Sequence, residues 1–519
     1  MNPPHTPGVI VTVNLSTGKI TSAVHSRNQW YRMLGGRPLV IDQLAQHGET
    51  CWVVASSPFA GLAIPLFGAA TIGYRDCCGI FRTEQIYGTL AAVLRQYGIE
   101  ALVVTGQTAA QKNMVIELGV GGVQLVDAGS SLLDEQLTIG PAADLTWPGA
   151  TLVNRQGRRL ADQAGSALAA SGVRGIAYQT PGDARAIECS PARETIDRLV
   201  KASPLLSGPC GVQSFGWSAL AGLSQSLCLL PTVGNQSVLL ADDVAVRADH
   251  LVGCVGCGIA CFGVDSQQRP DPDWLEQSSY RGLLGVTNQS LFAKLVAFAR
   301  EQGISPDWLA TIVSEVADNP LEIASQLVLG EITLSQIIEY EPKRVLRIAG
   351  QPLPPFDPRG AVGQTLARLI SSQPGSYQTA FVLAAELLRK PLALERMSVS
   401  GKARLIAMLE DARAAGDGVG ACLLSGCAVD VEEFAGLLTE LFAEEISTAQ
   451  LLAIGRRTVL MERRLNRSAE RLIDPRQQLP AFLFEQPGIN GQPPLDHQLL
   501  KDEWQRYELI RREQEQAFC

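Results

Sequence analysis

The most informative stretch of this chain reads Cys254-Val255-Gly256-Cys257-Gly258-Ile259-Ala260-Cys261, which spaces three thiols as C-x2-C-x3-C. Only small and apolar residues separate the thiols, and the glycines let the backbone fold tightly around a compact object. A [4Fe–4S] cluster is bound by four cysteine thiolates, so this spacing predicts three of its ligands. Two alternatives stay open, a structural zinc site made of four thiolates and a set of buried free thiols.

Composition limits the kind of protein that can carry this stretch. The 519 residues are 46% apolar and 18% charged, which indicates several compact globular domains. The net charge of −9 argues against a general nucleic-acid binder. Twelve cysteines without regular pairing, and no secretory signal before Val9, predict a cytoplasmic protein. No apolar run approaches the roughly 20 residues that span a bilayer, so no membrane span is predicted.

The apolar pattern differs between the two halves of the chain. Before about Cys189, short runs rich in β-branched residues predict strands, and the turn Ser16-Thr17-Gly18 predicts a hairpin between the first two. Thr83–Tyr97 has helical spacing and predicts a helix among these strands. Beyond Cys189 the apolar residues recur every three to four positions, and Ser447 is a suitable N-cap within the last long stretch.

The predicted fold class is therefore α+β. A β-sheet-rich N-terminal base domain is followed by two mainly α-helical domains. We expect the base domain to span residues 1–190, the helical domain with the cysteine run to span 191–345, and the C-terminal helical domain to span 346–519.

Further motifs occur in one order along nearly the whole chain and resemble those of a known family. They are Val13–Gly18 with Leu34–Arg37, Leu230–Thr232 ahead of the cysteine run, the proline-rich Gly350–Gly360, Asp417–Cys422, and Glu462-Arg463 with Asn466-Arg467. In these motifs the chain resembles the aldehyde ferredoxin oxidoreductase family, the tungsten- or molybdenum-pterin enzymes with a nearby [4Fe–4S] cluster. The resemblance implies a β-sheet base that seats two pterins beneath two helical domains.

The resemblance also implies a fourth cluster ligand. Asp417-Gly418-Val419-Gly420-Ala421-Cys422 is similar to the family pattern D-x-x-G-x-C, whose cysteine completes the cluster and whose aspartate touches the pterin. Cys254, Cys257, Cys261 and Cys422 are therefore the expected metal ligands, and Asp417 and Ala421 the expected pterin contacts. Alternative fourth ligands are Cys427, Cys210 and Cys228.

Where the pterins and the substrate would bind, the chain departs from the family pattern. Arg174 is the only cation left in the stretch that corresponds to the family's Gly-Arg-rich phosphate loop, so it is the expected phosphate contact. No histidine lies between His250 and His497, so the family's acid-base histidine has no candidate in the helical interior. Candidate substitutes for it are Asp307, Glu276 and Tyr377. Neutral side chains that we expect at the pterin positions are Leu66, Thr83, Pro374 and Gln378.

Three functions follow from these observations. The first is an oxidoreductase that oxidises an aldehyde at a metal-pterin and passes electrons through the cluster. The second is an electron-transfer or scaffold subunit that keeps the cluster and has lost the metal-pterin. The third is a structural protein with zinc or free thiols at the cysteine run. For the first two, the expected partner is a ferredoxin or a small iron–sulfur subunit, within a homodimer or a hetero-oligomer.

Overall fold

The structure is a computed structural model of the chain. It describes residues 8–76, 79–108, 113–131, 133, 135–145, 147, 149–156, 158–180, 190–209, 211–215, 219, 250–317, 319–340, 356–388, 394–442, 445–467, 479, 481–488 and 491–518. Cys210, Cys228 and Leu230–Thr232 lie outside these residues, as does the first part of the proline-rich motif. Within the described part, no helix is both long enough and apolar enough to cross a membrane.

Two six-stranded sheets form the N-terminal half. The strands are β1 Val9–Asn14, β2 Lys19–Val24, β3 Cys51–Ala55, β4 Ala70–Arg75, β5 Phe81–Ile86, β6 Ile99–Thr105, β7 Met114–Gly119, β8 Gly122–Asp127, β9 Glu135–Ile139, β10 Leu152–Asn154, β11 Arg159–Ala161, β12 Val173–Tyr178, β13 His250–Val252 and β14 Phe262–Val264. The sheet orders are β2-β1-β6-β3-β4-β5 and β11-β10-β9-β12-β7-β8, and β13 pairs with β14 alone. The β1–β6 and β7–β12 pairs are parallel and the other pairs are antiparallel.

Helices join these strands and predominate among the described residues after 264. They are Arg27–Met33, Gly36–His47, Leu90–Gln96, Gly165–Ser171, Ser190–Ala202, Pro204–Ser207, Val212–Phe215, Trp274–Glu276, Gln289–Gln302, Pro306–Val316, Pro320–Leu329, Leu334–Tyr340, Val362–Ile370, Val382–Leu388, Lys402–Val419, Val431–Phe442, Thr448–Asn466, Phe482–Glu485 and His497–Phe518. The described residues also include a π-helix, Gln277–Leu283, and 3-10 turns at Ala128–Ser130, Pro141–Ala143 and Leu423–Cys427. The predicted α+β architecture is confirmed.

The hydrophobic core is divided among the layers. Apolar side chains of the two large sheets pack against each other, with residues such as Val13, Leu102 and Ile176 fully buried. The opposite face of the first sheet packs on the helix Gly36–His47. Burying this much apolar surface is the main favourable term in folding, so the base and the helix against it form a stable platform.

The predicted helix Thr83–Tyr97 is wrong in its first part. Residues 81–86 form β5, which pairs with β4 along its full length and is buried throughout. Gly88 then adopts a φ of +123°, a conformation that side chains rarely allow, and the helix begins only at Leu90. Tertiary pairing of the sheet overrides the local helical spacing at this point.

The predicted N-cap at Ser447 is confirmed. Its hydroxyl accepts a hydrogen bond from the Gln450 backbone N–H, and the Gln450 side chain accepts one from the Ser447 backbone N–H. This capping box satisfies two donors at the start of the helix Thr448–Asn466. The helix carries Glu462, whose role is described below.

A close backbone contact joins the base to the helical half. Gly36 has a φ of +46°, and a Cβ there would lie 1.9 Å from the Asp417 carbonyl oxygen. Only glycine allows this approach, which sets Arg37 directly beside the end of the helix Lys402–Val419.

Candidate functional site

The cysteine run forms the tip of the β13–β14 hairpin and packs against two loops of the base. Val252 pairs with Phe262, so the run lies between these two paired residues. The backbone N–H of Leu66 donates to the Cys257 Sγ at 3.3 Å, and the N–H of Gly88 donates to the Cys254 Sγ at 3.1 Å. Backbone donors aimed at sulfur stabilise a thiolate.

The same loop brings in the fourth cysteine. The Leu66 carbonyl accepts from the Cys422 N–H at 2.8 Å, while Gly68 donates to the Gly420 carbonyl at 3.2 Å. Leu66 holds this position with a φ of +69°, which is unusual for a non-glycine residue and marks a local constraint. One loop therefore contacts both cysteine segments.

The four thiols lie within electrostatic reach of one another. Burial raises the pKa of Cys254 to about 12, and Cys257 contributes to the rise. Burial, followed by Cys254, Cys257 and Cys422, raises the pKa of Cys261 well above its ordinary value. The pKa of Cys422 is raised by burial, then by Cys257 and Cys254. The structure thus brings together the four predicted ligands, and their binding of a metal stays a prediction.

Cys427, an alternative fourth ligand, is not among the thiols that act on the pKa values of Cys254, Cys261 and Cys422. It ends the 3-10 turn Leu423–Cys427 and is buried. Burial raises its pKa to about 12, and the charge that acts on it is that of Arg413 rather than that of another thiol. The geometry favours Cys422 over Cys427 as the fourth member.

A half-buried cation lies within electrostatic reach of the thiols. The guanidinium carbon of Arg158 lies 4.2 Å from the centre of the Phe262 ring, next to Cys261 in sequence. Burial lowers the pKa of Arg158, and the thiols of Cys254 and Cys261 counter that effect. A positive charge beside several thiolates would offset their mutual repulsion.

These features fit a [4Fe–4S] cluster. Four thiols supply the donor set, two backbone N–H groups point at sulfur, and one cation balances the charge. In the described part of the chain, no group of three or more His, Cys, Asp or Glu side chains is arranged to hold a metal ion. In a [4Fe–4S] site, the iron and sulfide ions separate the four thiolates from one another. In a zinc site, each thiolate lies about 2.3 Å from the single metal ion.

The predicted pterin contact Asp417 is saturated by protein donors. Its carboxylate pairs with Arg37 at 3.2 Å, accepts from Gln85 at 3.1 Å, and contacts the Arg413 guanidinium. Arg37 in turn forms two 2.7 Å hydrogen bonds with Glu462. We call these five residues the Asp417 network.

The Asp417 network leaves almost no space on the side of Thr83 and Gln378. The cavity beside it has a volume of about 10 Å³, room for roughly one water molecule. Its walls include the predicted Thr83 and Gln378, together with the two arginines. Pockets for cofactor-sized ligands have volumes of roughly 300–1,000 Å³. The residues present therefore do not fit a pterin at this place.

The other predicted contacts have partners of their own. The Ala421 carbonyl accepts from Gln85 at 2.7 Å and from Arg413 at 3.1 Å, and its N–H donates to Gly416. Arg174 lies on β12 and pairs with the exposed Asp144. It does not line the cavity beside Asp417, so the structure does not bring Arg174 together with the other site residues.

A second cavity lies closer to the thiols. It has a volume of about 60 Å³, and its walls include Tyr87, Phe262 and Leu423, which adjoin the thiol segments, as well as Asp162 and Tyr377. Of the three candidate acid-base substitutes, only Tyr377 lines this cavity. Glu276 is paired with Arg300 at 2.8 Å, and Asp307 accepts from the Trp308 N–H at 2.9 Å.

The Asp162 carboxyl beside this cavity makes stability depend on pH. Burial raises its pKa to about 7, although Arg159 lies 2.6 Å away. The folded chain thus binds this proton more tightly than the unfolded chain, where the pKa is about 3.9. The contribution to stability is complete below pH ~4 and is lost as pH rises through about 7.

We expect Asp162→Asn to flatten the fall in unfolding free energy between pH ~4 and ~7. Urea unfolding at several pH values measures this slope. Asp144→Asn, at an exposed carboxylate paired with Arg174, is the matched control and should leave the slope unchanged. Equal slopes in the wild type and in the Asp162→Asn variant would contradict the assignment.

Sequence reasoning missed the cations of the site. Arg413 lies four residues before Asp417 on one helix, a spacing that brings side chains together and could have indicated the pair. In the sequence, Arg37 belonged to the Leu34–Arg37 motif but had no predicted role of its own. Nothing in the local sequence linked it to Glu462, because that contact joins distant segments.

Comparison with known proteins gives one family. Residues 10–179 match the model "Aldehyde ferredoxin oxidoreductase, N-terminal domain", and residues 304–507 match "Aldehyde ferredoxin oxidoreductase, domains 2 & 3". The tungsten-containing aldehyde ferredoxin oxidoreductases of Pyrococcus furiosus and Thermococcus kodakarensis are each 22% identical, over 97% of this chain and 96% of theirs.

Solved structures share the fold, and one of them is the active site complex BamBC of benzoyl coenzyme A reductase in complex with 1,5 dienoyl-CoA. The TM-score is 0.69 and the sequence identity 11%, over 98% of this chain and 95% of that chain. The fold that the sequence motifs implied is confirmed.

Proposed function

The chain belongs to the aldehyde ferredoxin oxidoreductase family, and from that premise we propose that it binds a [4Fe–4S] cluster and transfers electrons to or from a ferredoxin-like partner. The ligands are Cys254, Cys257, Cys261 and Cys422. When bound, the cluster would supply one-electron transfer. The partner is a ferredoxin or a small iron–sulfur subunit, in a homodimer or a hetero-oligomer.

The convergence of the four thiols is the observation that carries this proposal. They come from two segments far apart in sequence, and Leu66 contacts both through its N–H and its carbonyl. Buried thiols of a purely structural kind do not need such convergence or a cation beside them. Arg158 and the backbone donors supply what an anionic iron–sulfur site needs.

The proposal does not include a metal-pterin. Both oxygens of Asp417 are bonded to side chains of this chain, and the space beside them holds about 10 Å³. In this reading the chain is an electron-transfer or scaffold subunit that has lost the pterin. Any aldehyde oxidation to which it is linked takes place on another subunit.

The second candidate is an aldehyde oxidoreductase with its own tungsten or molybdenum cofactor. Family membership and the names of the tungsten-containing relatives favour it. It requires the Asp417 network to open, which would separate buried charges.

Metal analysis of protein purified without oxygen, from cells supplied with tungstate and molybdate, tests these readings. We expect roughly four iron and four sulfide ions per chain, without stoichiometric tungsten or molybdenum. The reduced protein should pass electrons to a ferredoxin. Zinc in place of iron would contradict the proposal and support a structural zinc site. Stoichiometric tungsten with aldehyde-dependent dye reduction would support the second candidate instead.

A further inference from the structure

Two contacts hold the Arg158 guanidinium near the cysteine run. Arg158 lies between β10 and β11, with its guanidinium carbon 4.2 Å from the centre of the Phe262 ring. A Cβ on Gly88 would lie 3.2 Å from the Arg158 Nη2. Gly88 donates to the Cys254 Sγ and Phe262 follows Cys261, so both contacts place the guanidinium beside residues that contact or adjoin the thiols.

Arg158 lies within electrostatic reach of Glu135 and Tyr178 as well as of two thiols. The Arg158 Nε is buried without a hydrogen-bond acceptor, and among the described residues no carboxylate forms an ion pair with this side chain. Its neighbour Arg159 is the opposite case, with Asp162 and Asp273 each at 2.6 Å. A half-buried cation without an ion pair is stabilised by nearby negative charge, which the thiolates of Cys254 and Cys261 would provide.

We propose that Arg158 is the charge partner of the iron–sulfur site and raises its reduction potential, an inference that rests on the proposed function. A [4Fe–4S]²⁺ cluster with four thiolates carries a net charge of about −2, and one added electron makes it about −3. Arg158 attracts the more negative state more strongly. The electron comes from a reduced low-potential ferredoxin, or from dithionite in the laboratory, and that donor is oxidised in turn.

The face of Phe262 holds the cation in place. A guanidinium over an aromatic ring is attracted by the ring and keeps its planar orientation. Neither the Phe262 ring nor Gly88 carries a negative charge. The Arg158 guanidinium therefore keeps its full positive charge beside the thiols. An arginine paired with a carboxylate at the same place would have little net effect on the potential.

The test is a redox titration of the cluster-loaded full chain, monitored by electron paramagnetic resonance. Arg158→Gln removes the charge and Arg158→Lys keeps it. Arg155→Gln, at an exposed position on the same turn, is the matched control. We expect a more negative midpoint potential in Arg158→Gln, a smaller shift in Arg158→Lys, and none in Arg155→Gln. If Arg158→Gln loses the cluster while Arg158→Lys and Arg155→Gln keep it, that result would also support the need for a cation.

Two results would overturn the inference. One is an unchanged midpoint potential in loaded Arg158→Gln, and the other is an equal shift in Arg158→Gln and Arg158→Lys, which would indicate packing rather than charge. Absence of iron and sulfide from the wild-type protein is a different result. It would contradict the proposed function itself and remove the premise of this inference.

Discussion

Replacing Cys422 with alanine is expected to lower the iron content of anaerobically purified protein from roughly four ions per chain to below about one. The variant removes one corner of the site, and the remaining thiols come from the single segment 254–261. Iron and acid-labile sulfide analysis, with the visible absorption of the cluster, measures the loss. Circular dichroism shows whether the chain still folds.

Cys427→Ala is the matched control for this prediction. Cys427 is a buried thiol five residues farther along, with a similar burial-raised pKa of about 12. Its removal should leave the iron content unchanged. Retention of iron in Cys422→Ala together with its loss in Cys427→Ala would reverse the ligand assignment.

Replacing Glu462 with alanine is expected to destabilise the protein by about 3–5 kcal/mol. Glu462 and Arg37 are almost completely buried and joined by two hydrogen bonds of 2.7 Å. Although burial lowers the pKa of Arg37, Glu462 and then Asp417 raise it above its ordinary value, so the guanidinium stays charged. Without Glu462, that charge keeps the 3.2 Å ion pair with Asp417 and a 3.4 Å hydrogen bond to the Ser372 hydroxyl.

Urea unfolding measures this loss, and Glu462→Gln separates charge from shape because it keeps the side-chain volume. Glu515→Ala provides the control, since Glu515 pairs with Arg467, whose side chain is 64% exposed. Exposed pairs contribute about 0–1 kcal/mol, so the control variant should be nearly as stable as the wild type. A cost below about 1 kcal/mol for Glu462→Ala would mean that the Asp417 network does not stabilise the fold.

The parts of the fold that depend on local signals were predictable. The turn Ser16-Thr17-Gly18 joins the expected hairpin of β1 and β2, and the side chain of Ser447 caps a helix as its neighbours indicated. Residues 83–86 were not predictable in this way. Their structure is decided by pairing with β4, which helical spacing cannot reveal.

The site shows the same division. Cysteine spacing indicated three of the thiols, and the resemblance of Asp417–Cys422 to the family pattern indicated the fourth. The cations were not predictable, since Arg158 and Arg37 act on residues brought near only by the tertiary fold. The prediction that neutral side chains line this space was only partly right. Thr83 and Gln378 do line the small cavity, but two arginines accompany them.

The Asp417 network has an evolutionary consequence. Its members come from separate segments of the chain, and each charge is balanced by another. A single substitution that opened the space would leave a buried charge unbalanced, at a cost of several kcal/mol. Opening a large cofactor site here would take several coordinated changes, each of which passes through a less stable protein. Under the proposed function, loss of the cofactor site is therefore hard to reverse by stepwise mutation.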